Sequence, residues 1–127
     1  MTRIKYTVDY LIKSSPTILF DFLSTASGLS QWFADHVEVN DHQYTFYWEG
    51  FPEQGTLLAN VEHEYVRFVM ENHEKEEYLE FRIYKSEVTD DTILAITDFA
   101  EKNEVNDQSL VWNSLVDLLI SRIGGKN

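Results

Sequence analysis

The chain has 127 residues, near the commonest size of a single domain and long enough to bury a substantial core. With 43% hydrophobic and 14% aromatic residues (8 Phe, 7 Tyr and 3 Trp), it is not an intrinsically disordered chain. The net charge of −12 is evenly spread, with three basic and nine acidic side chains in residues 1–64 and seven and thirteen in 65–127, so the cationic footprint that nucleic acid or an anionic membrane surface needs is absent.

The first element is a strand over Arg3 to Ile12. Ile4, Tyr6, Val8, Tyr10 and Ile12 share one parity, and Lys5, Thr7 and Asp9 the other, which is the alternation of a half-buried strand. Ser14-Ser15-Pro16 stops it. Ser15 suits an N-cap and Pro16 the first helical position, where a missing N–H costs nothing, so a short helix is predicted to about Ser24 with Ile18, Leu19, Phe22 and Leu23 on one side. A second short helix is expected over about Leu29 to Phe33, after Thr25-Ala26-Ser27-Gly28. Neither is long enough to be stable unless it docks on other structure.

From Val37 the period becomes two. Val37 and Val39 precede a turn at Asn40-Asp41-His42, and Tyr44, Phe46 and Trp48 alternate with Thr45, Tyr47 and Glu49. Gly50 to Gly55 is expected to be a connection. Leu57, Ala59 and Val61 form the next apolar set, then Val66, Phe68 and Met70, then Leu79, Phe81 and Ile83 after the charged turn Asn72 to Glu76. Thr92 to Phe99 is apolar on both parities, with Leu94 and Ile96 favoured as inward. Short connections between alternating strands imply a six-strand antiparallel meander. The last element is a helix from about Asp107 to Ile123, with Asp107 suited to the N-cap, Arg122 to the last turn and Gly124, followed by Gly125, to the C′ position. Val111, Leu115, Leu118 and Leu119 form one apolar stripe, and Trp112, Val116, Leu119 and Ile123 its neighbour, so this helix must lie against the sheet. The pattern is α+β.

There is no cysteine, so disulfides, zinc–thiolate sites and thiol chemistry are absent. The first ten residues contain no apolar signal core, and no apolar run approaches the roughly 20 residues of a membrane span; a cytoplasmic location is expected. His36, His42, His63 and His73 fall in turns or strand ends without metal-ligand spacing, and no nucleophile elbow, phosphate loop or dinucleotide fingerprint occurs, so neither a metal nor a cofactor is expected.

A long helix across a curved sheet often leaves a cavity beneath it. Trp32 and Phe33 are candidates for its mouth. Tyr44, Phe46 and Trp48 share a face that could line it, joined by Phe68, Met70, Phe81 and Ile96 from the meander and by Trp112, Leu115 and Leu119 from the helix. Taken singly, each ring reads first as core filling; converging rings from sheet and helix are what an apolar pocket requires. Asp98 shares the parity of Leu94 and Ile96: it reads first as a strand-end residue at the solvent rim, and, if that face is inward, as the candidate carboxylate of the cavity.

Two segments carry a resemblance. Ser15 to Asp35 has a proline-started helix, a short gap and a Trp-Phe pair; Tyr44 to Gly50 followed by Gly55-Thr-Leu-Leu has an aromatic strand, a Gly turn and a Gly-led strand. With the order strand, two helices, six strands, long helix, they resemble the helix-grip fold of the START-like (SRPBCC) superfamily, and within it the activator of heat-shock-protein-90 ATPase homologues. The resemblance implies one helix-grip domain over residues 1–127, with about seven curved antiparallel strands wrapped over the C-terminal helix. It implies a non-enzymatic protein that binds a hydrophobic small molecule or lipid in a cavity between them. A protein-interaction module or co-chaperone is the alternative, and a cyclase or hydrolase using Asp98 a third. The eukaryotic namesake carries a second domain beside this one, for which 127 residues leave no room.

Overall fold

The computed structural model describes residues 2–124. Strand β1 (Arg3–Ile12) is followed by helices α1 (Pro16–Ser24) and α2 (Ala26–Leu29). Six strands come next: β2 (His36–Asn40), β3 (Gln43–Trp48), β4 (Phe51–Val61), β5 (Tyr65–Met70), β6 (Leu79–Lys85) and β7 (Thr92–Glu101). One 3-10 turn, Lys102–Glu104, leads into α3 (Val105–Ile123). The seven strands form one antiparallel sheet in the order β1-β7-β6-β5-β4-β3-β2, so the expected meander is present and β1 returns to its far edge, pairing Arg3 with Glu101 through Ile12 with Thr92. This is the curved sheet and long C-terminal helix of a helix-grip fold.

Local chemistry accounts for most boundaries. Ser15 Oγ accepts the Ile18 amide at 3.2 Å, and Pro16 opens α1. Thr25 then joins the two helices: its hydroxyl donates to the Asp21 carbonyl and accepts the Gly28 amide. This cap starts α2 one turn earlier than the predicted Leu29–Phe33, because a Thr side chain that closes on an amide three residues ahead nucleates the helix there. On α1, Leu19, Phe20 and Leu23 are buried, Phe22 is half-buried and Ile18 is exposed, so the inward face lies one residue away from the expected one.

The expected connection Gly50–Gly55 is mostly strand. A two-residue turn, Glu49-Gly50, has positive φ at both positions (53° and 86°), the geometry that suits the twist of a tight hairpin, and β4 starts at Phe51. Pro52 is accommodated because it pairs with Tyr47 of β3 before β5 begins opposite Gly55, leaving that stretch at an edge.

The core lies between the sheet's concave face and the helices. Leu94 and Ile96 are fully buried in it, together with Phe46, Val66, Phe68 and Phe81. The apolar ambiguity of β7 has a structural reason. Ala95 and Thr97 on its other face are buried too, beneath the sheet's own long side chains rather than another layer. There Glu80 accepts hydrogen bonds from Arg67 and Arg82, and Arg82 and Arg67 stack on Tyr65 (4.0 Å) and Tyr78 (4.4 Å) respectively.

Helix α3 packs against β1, β7 and α1. It begins at Val105, so Asp107 lies in its first turn, and the N-cap position falls to Glu104, which makes no side-chain cap. Gly124 adopts the left-handed C-cap (φ 78°); Gly125 lies outside the described residues. Trp112, Val116 and Leu119 are buried, while Val111 and Leu118 of the expected stripe, and Leu110, remain exposed. No helix among the described residues is long and apolar enough to cross a membrane.

Candidate functional site

The wide interior under α3 is largely filled by rings. Trp32 packs on Phe81 (5.3 Å between centroids), Phe33 meets Phe46 and Phe81, and Phe68 meets Tyr44 and Phe46. Their polar ends are spent internally: Trp32 Nε1 donates to the Phe22 carbonyl and Tyr44 Oη to the Ser24 carbonyl, fixing α1 to sheet and turn. Trp32, Tyr44, Phe46, Phe68, Phe81, Ile96 and Leu119 therefore belong to packed interior and do not line the cleft that opens beyond them.

At one end the filling stops. A cleft of about 190 Å³ opens between the N-terminal half of α3 and the ends of β3 to β7. Phe33, Trp48, Met70, Leu79, Val111, Trp112 and Leu115 form its apolar walls; Glu53, Asn72, His73, Asp98 and Gln108 are its polar lining. Of the residues singled out from sequence, Phe33, Trp48, Met70, Asp98, Trp112 and Leu115 are thus brought together here. Phe33 and Trp112 stack nearly parallel, 6° apart at 5.8 Å, while Trp48 meets Phe33 edge-on. Both indoles are tied back: Trp48 Nε1 donates to the Phe33 carbonyl at 2.8 Å and Trp112 Nε1 to Tyr6 Oη at 3.1 Å. Burial, followed by the nearby charge of Asp98, pushes the Tyr6 phenol up to about 12, so it stays protonated.

The polar lining has one fixed unit. His73 follows β5, and its Nδ1 accepts the Met70 amide at 2.9 Å. That bond defines the tautomer: the ring proton sits on Nε2 and is donated to Asp98 Oδ1 at 2.8 Å. The same carboxylate oxygen accepts the Phe99 amide. The His73 side chain is only 3% exposed and that of Asp98 19%, so the imidazole is a strut and the carboxylate borders the cleft. Glu53, on β4, is half-buried. Burial pushes its carboxyl above the ordinary range, and the nearby charges of Glu71 and Asp98 add to this. Among the described residues, no group of three or more His, Asp or Glu side chains is placed to hold a metal ion.

Sequence reasoning missed Glu53, His73, Asn72 and Gln108. Glu53 was discoverable, because it shares the inward parity of Gly55 and Leu57 once β4 is extended to Phe51; past Leu57 a bulge turns Ala59 to the other face. His73 carried no signal: it sits in a charged turn, and its partner lies 25 residues away.

Over residues 1–125 the sequence matches the START-like superfamily domain. The chain belongs to the START-like superfamily. BfR322 from Bacteroides fragilis, solved in solution, is 34% identical over 100% of this chain and 95% of its own, with a TM-score of 0.67. Two more distant structures share the fold. The Aha1 dimer from Colwellia psychrerythraea has 17% identity, full coverage of both chains and a TM-score of 0.74. The AHSA1-like protein from Aeromonas hydrophila has 14% identity, covers 95% of this chain and 92% of that one, and has a TM-score of 0.75. The likeness to activator homologues read from the Ser15–Asp35 and Tyr44–Gly55 segments is thus matched by Aha1-like proteins among the structural neighbours. No curated protein matches the chain.

Proposed function

We propose that this START-like domain binds, without turnover, a small hydrophobic molecule in the cleft between the sheet and α3. The supporting observation is the cleft itself: about 190 Å³ of space left at the end of an otherwise filled interior, walled by Phe33, Trp48, Trp112 and Leu115. Drug-sized ligands occupy roughly 300–1,000 Å³, whereas an apolar cavity of roughly 150 Å³ takes up benzene. The cleft therefore suits a ligand of about one ring, or the end of a longer lipid chain whose remainder lies outside. His73 offers no free imidazole base there, because both of its ring nitrogens are already engaged. A cytoplasmic setting accords with the cysteine-free composition.

The test is titration of purified protein with one-ring apolar probes, read by Trp fluorescence and calorimetry, together with mass spectrometry of solvent-extracted protein. Leu115→Trp should fill the cleft and abolish binding while leaving the circular dichroism spectrum intact. Equal affinity in that variant would overturn the proposal.

A protein-interaction role, as in a co-chaperone, is the second reading. It is favoured by Leu110, Val111 and Leu118, all exposed on α3, and by the Aha1-like neighbours. Pull-down and ATPase assays with a heat-shock-protein-90 homologue check it; neither association nor stimulation would remove it.

A further inference from the structure

We propose that the ligand of the cleft is a small amine, an apolar body of about one ring that carries an ammonium group between Glu53 and Asp98. This rests on the reading of the cleft as a binding site and specifies the charge of what it takes. Three observations carry it.

The first is how the molecule treats its other sequestered carboxylates. Glu77 receives a bidentate pair from Arg3 (2.7 and 2.8 Å), and Glu80 is held by both Arg67 and Arg82. Such pairing is what a carboxylate removed from water requires. The two carboxylates of the cleft are less deeply buried and have no arginine or lysine partner among the described residues. Among the described residues, no Lys or Arg lines the cleft. Asp98 Oδ1 takes the His73 and Phe99 hydrogen bonds, and among the described residues Oδ2 accepts none. Glu53 has no hydrogen-bond or ion-pair partner for its carboxylate among those residues, and Asp98 is close enough to repel it. Two half-buried acceptors without a cation face one small space.

The second is that the cleft's strong donors are consumed. The indole N–H groups of Trp48 and Trp112 and the Nε2–H of His73 all bond inside the protein. An anionic ligand such as a fatty acid would meet two carboxylates with only the amides of Asn72 and Gln108 to receive it. The third is the wall. Phe33, Trp48 and Trp112 are the side chains whose π-systems attract an ammonium, and that attraction strengthens where water is excluded.

The experiment compares three probes of one size on the full chain at physiological salt: 2-phenylethylamine, 2-phenylethanol and 3-phenylpropionate. The amine should bind at least about tenfold more tightly than the alcohol, equivalent to about 1.4 kcal/mol, and the carboxylate more weakly than either. Glu53→Gln should erase most of the amine's advantage and leave alcohol binding unchanged. Asp98→Asn should act the same way, while Glu87→Gln, on the exposed β6–β7 turn, should leave the amine's advantage in place and so exclude attraction by net charge alone. If the alcohol binds as well as the amine, or if the advantage survives in Glu53→Gln, the amine assignment falls while the cleft remains a binding site. If none of the three binds, the cleft reading falls with it.

Discussion

Gly28 is where α1 and α2 touch. A Cβ placed there would lie 2.1 Å from the Asp21 carbonyl oxygen and 2.6 Å from the Phe22 Cα, both backbone atoms that no rotamer change can move. Gly28→Ala should therefore cost at least the 1–3 kcal/mol typical of overpacking, although alanine is otherwise the better helix former; urea titration of the two proteins measures it. The same precision was out of reach at the cleft. Asp98 was identifiable by parity with Leu94 and Ile96, and Trp48 and Trp112 by their periodic faces. Their grouping with His73 and Glu53 depends on where two turns end, and turns carry no periodicity to read.

Helix α3 shows how an element can be legible in kind but not in rotation. Its position, length and C-terminal glycine follow from composition and spacing. Both apolar stripes were visible, yet only the one through Trp112, Val116 and Leu119 is covered, because the helix rests on β1, β7 and α1 while the face through Leu110, Val111 and Leu118 overhangs the rim. Leu119→Ala should cost about 2–5 kcal/mol, and Leu118→Ala no more than about 0.5 kcal/mol, by chemical denaturation. Equal costs would mean that the exposed face is covered by something else. The strands were more legible than the short helices: a buried face imposes period two wherever the sheet is half-covered, whereas α2 is placed by a single hydroxyl, Thr25. The mistaken boundary at β4 came from treating Gly50, Pro52 and Gly55 alike as loop residues, when only Gly50 sits in a turn.

The whole molecule carries its buried charges in two opposed ways, and acid titration should separate them. Hydrogen bonds from Arg3 hold the Glu77 carboxyl below its ordinary value of 4.5. Burial raises that of Glu80, but the hydrogen bonds and charges of Arg82 and Arg67 together outweigh it and the net shift is downward. A carboxyl depressed in the folded state stabilises fully above its unfolded value, and that contribution is lost as pH falls from about 4.5 through the lower folded values. Glu53, raised in the folded state, has the reverse sign: it contributes no destabilisation in strong acid and destabilises the fold as pH rises past its unfolded value. Glu53→Gln should thus melt at a higher temperature than wild type at pH 7 and at the same temperature near pH 3, by calorimetry. An unchanged melting temperature at pH 7 would show that Glu53 is not strained by its surroundings. Stability given up at a site that binds something is a recurrent trade in proteins.

The pairing of β1 with β7 also governs how the chain finds its fold. Successive hairpins from β2 to β7 close over short turns, but β1 must wait for a strand some 90 residues away, as between Thr7 and Thr97. Loop closure of that span is entropically costly and rewarded only late, so the strand made first is expected to dock last. Val8→Ala, facing the core from β1, should then accelerate unfolding while leaving the refolding rate nearly unchanged in stopped-flow kinetics. During synthesis β1 would emerge without its edge partner β7 and without α3, which covers its apolar face, until most of the chain had left the ribosome. In that interval the unpaired strand is the part of the chain most exposed to aggregation.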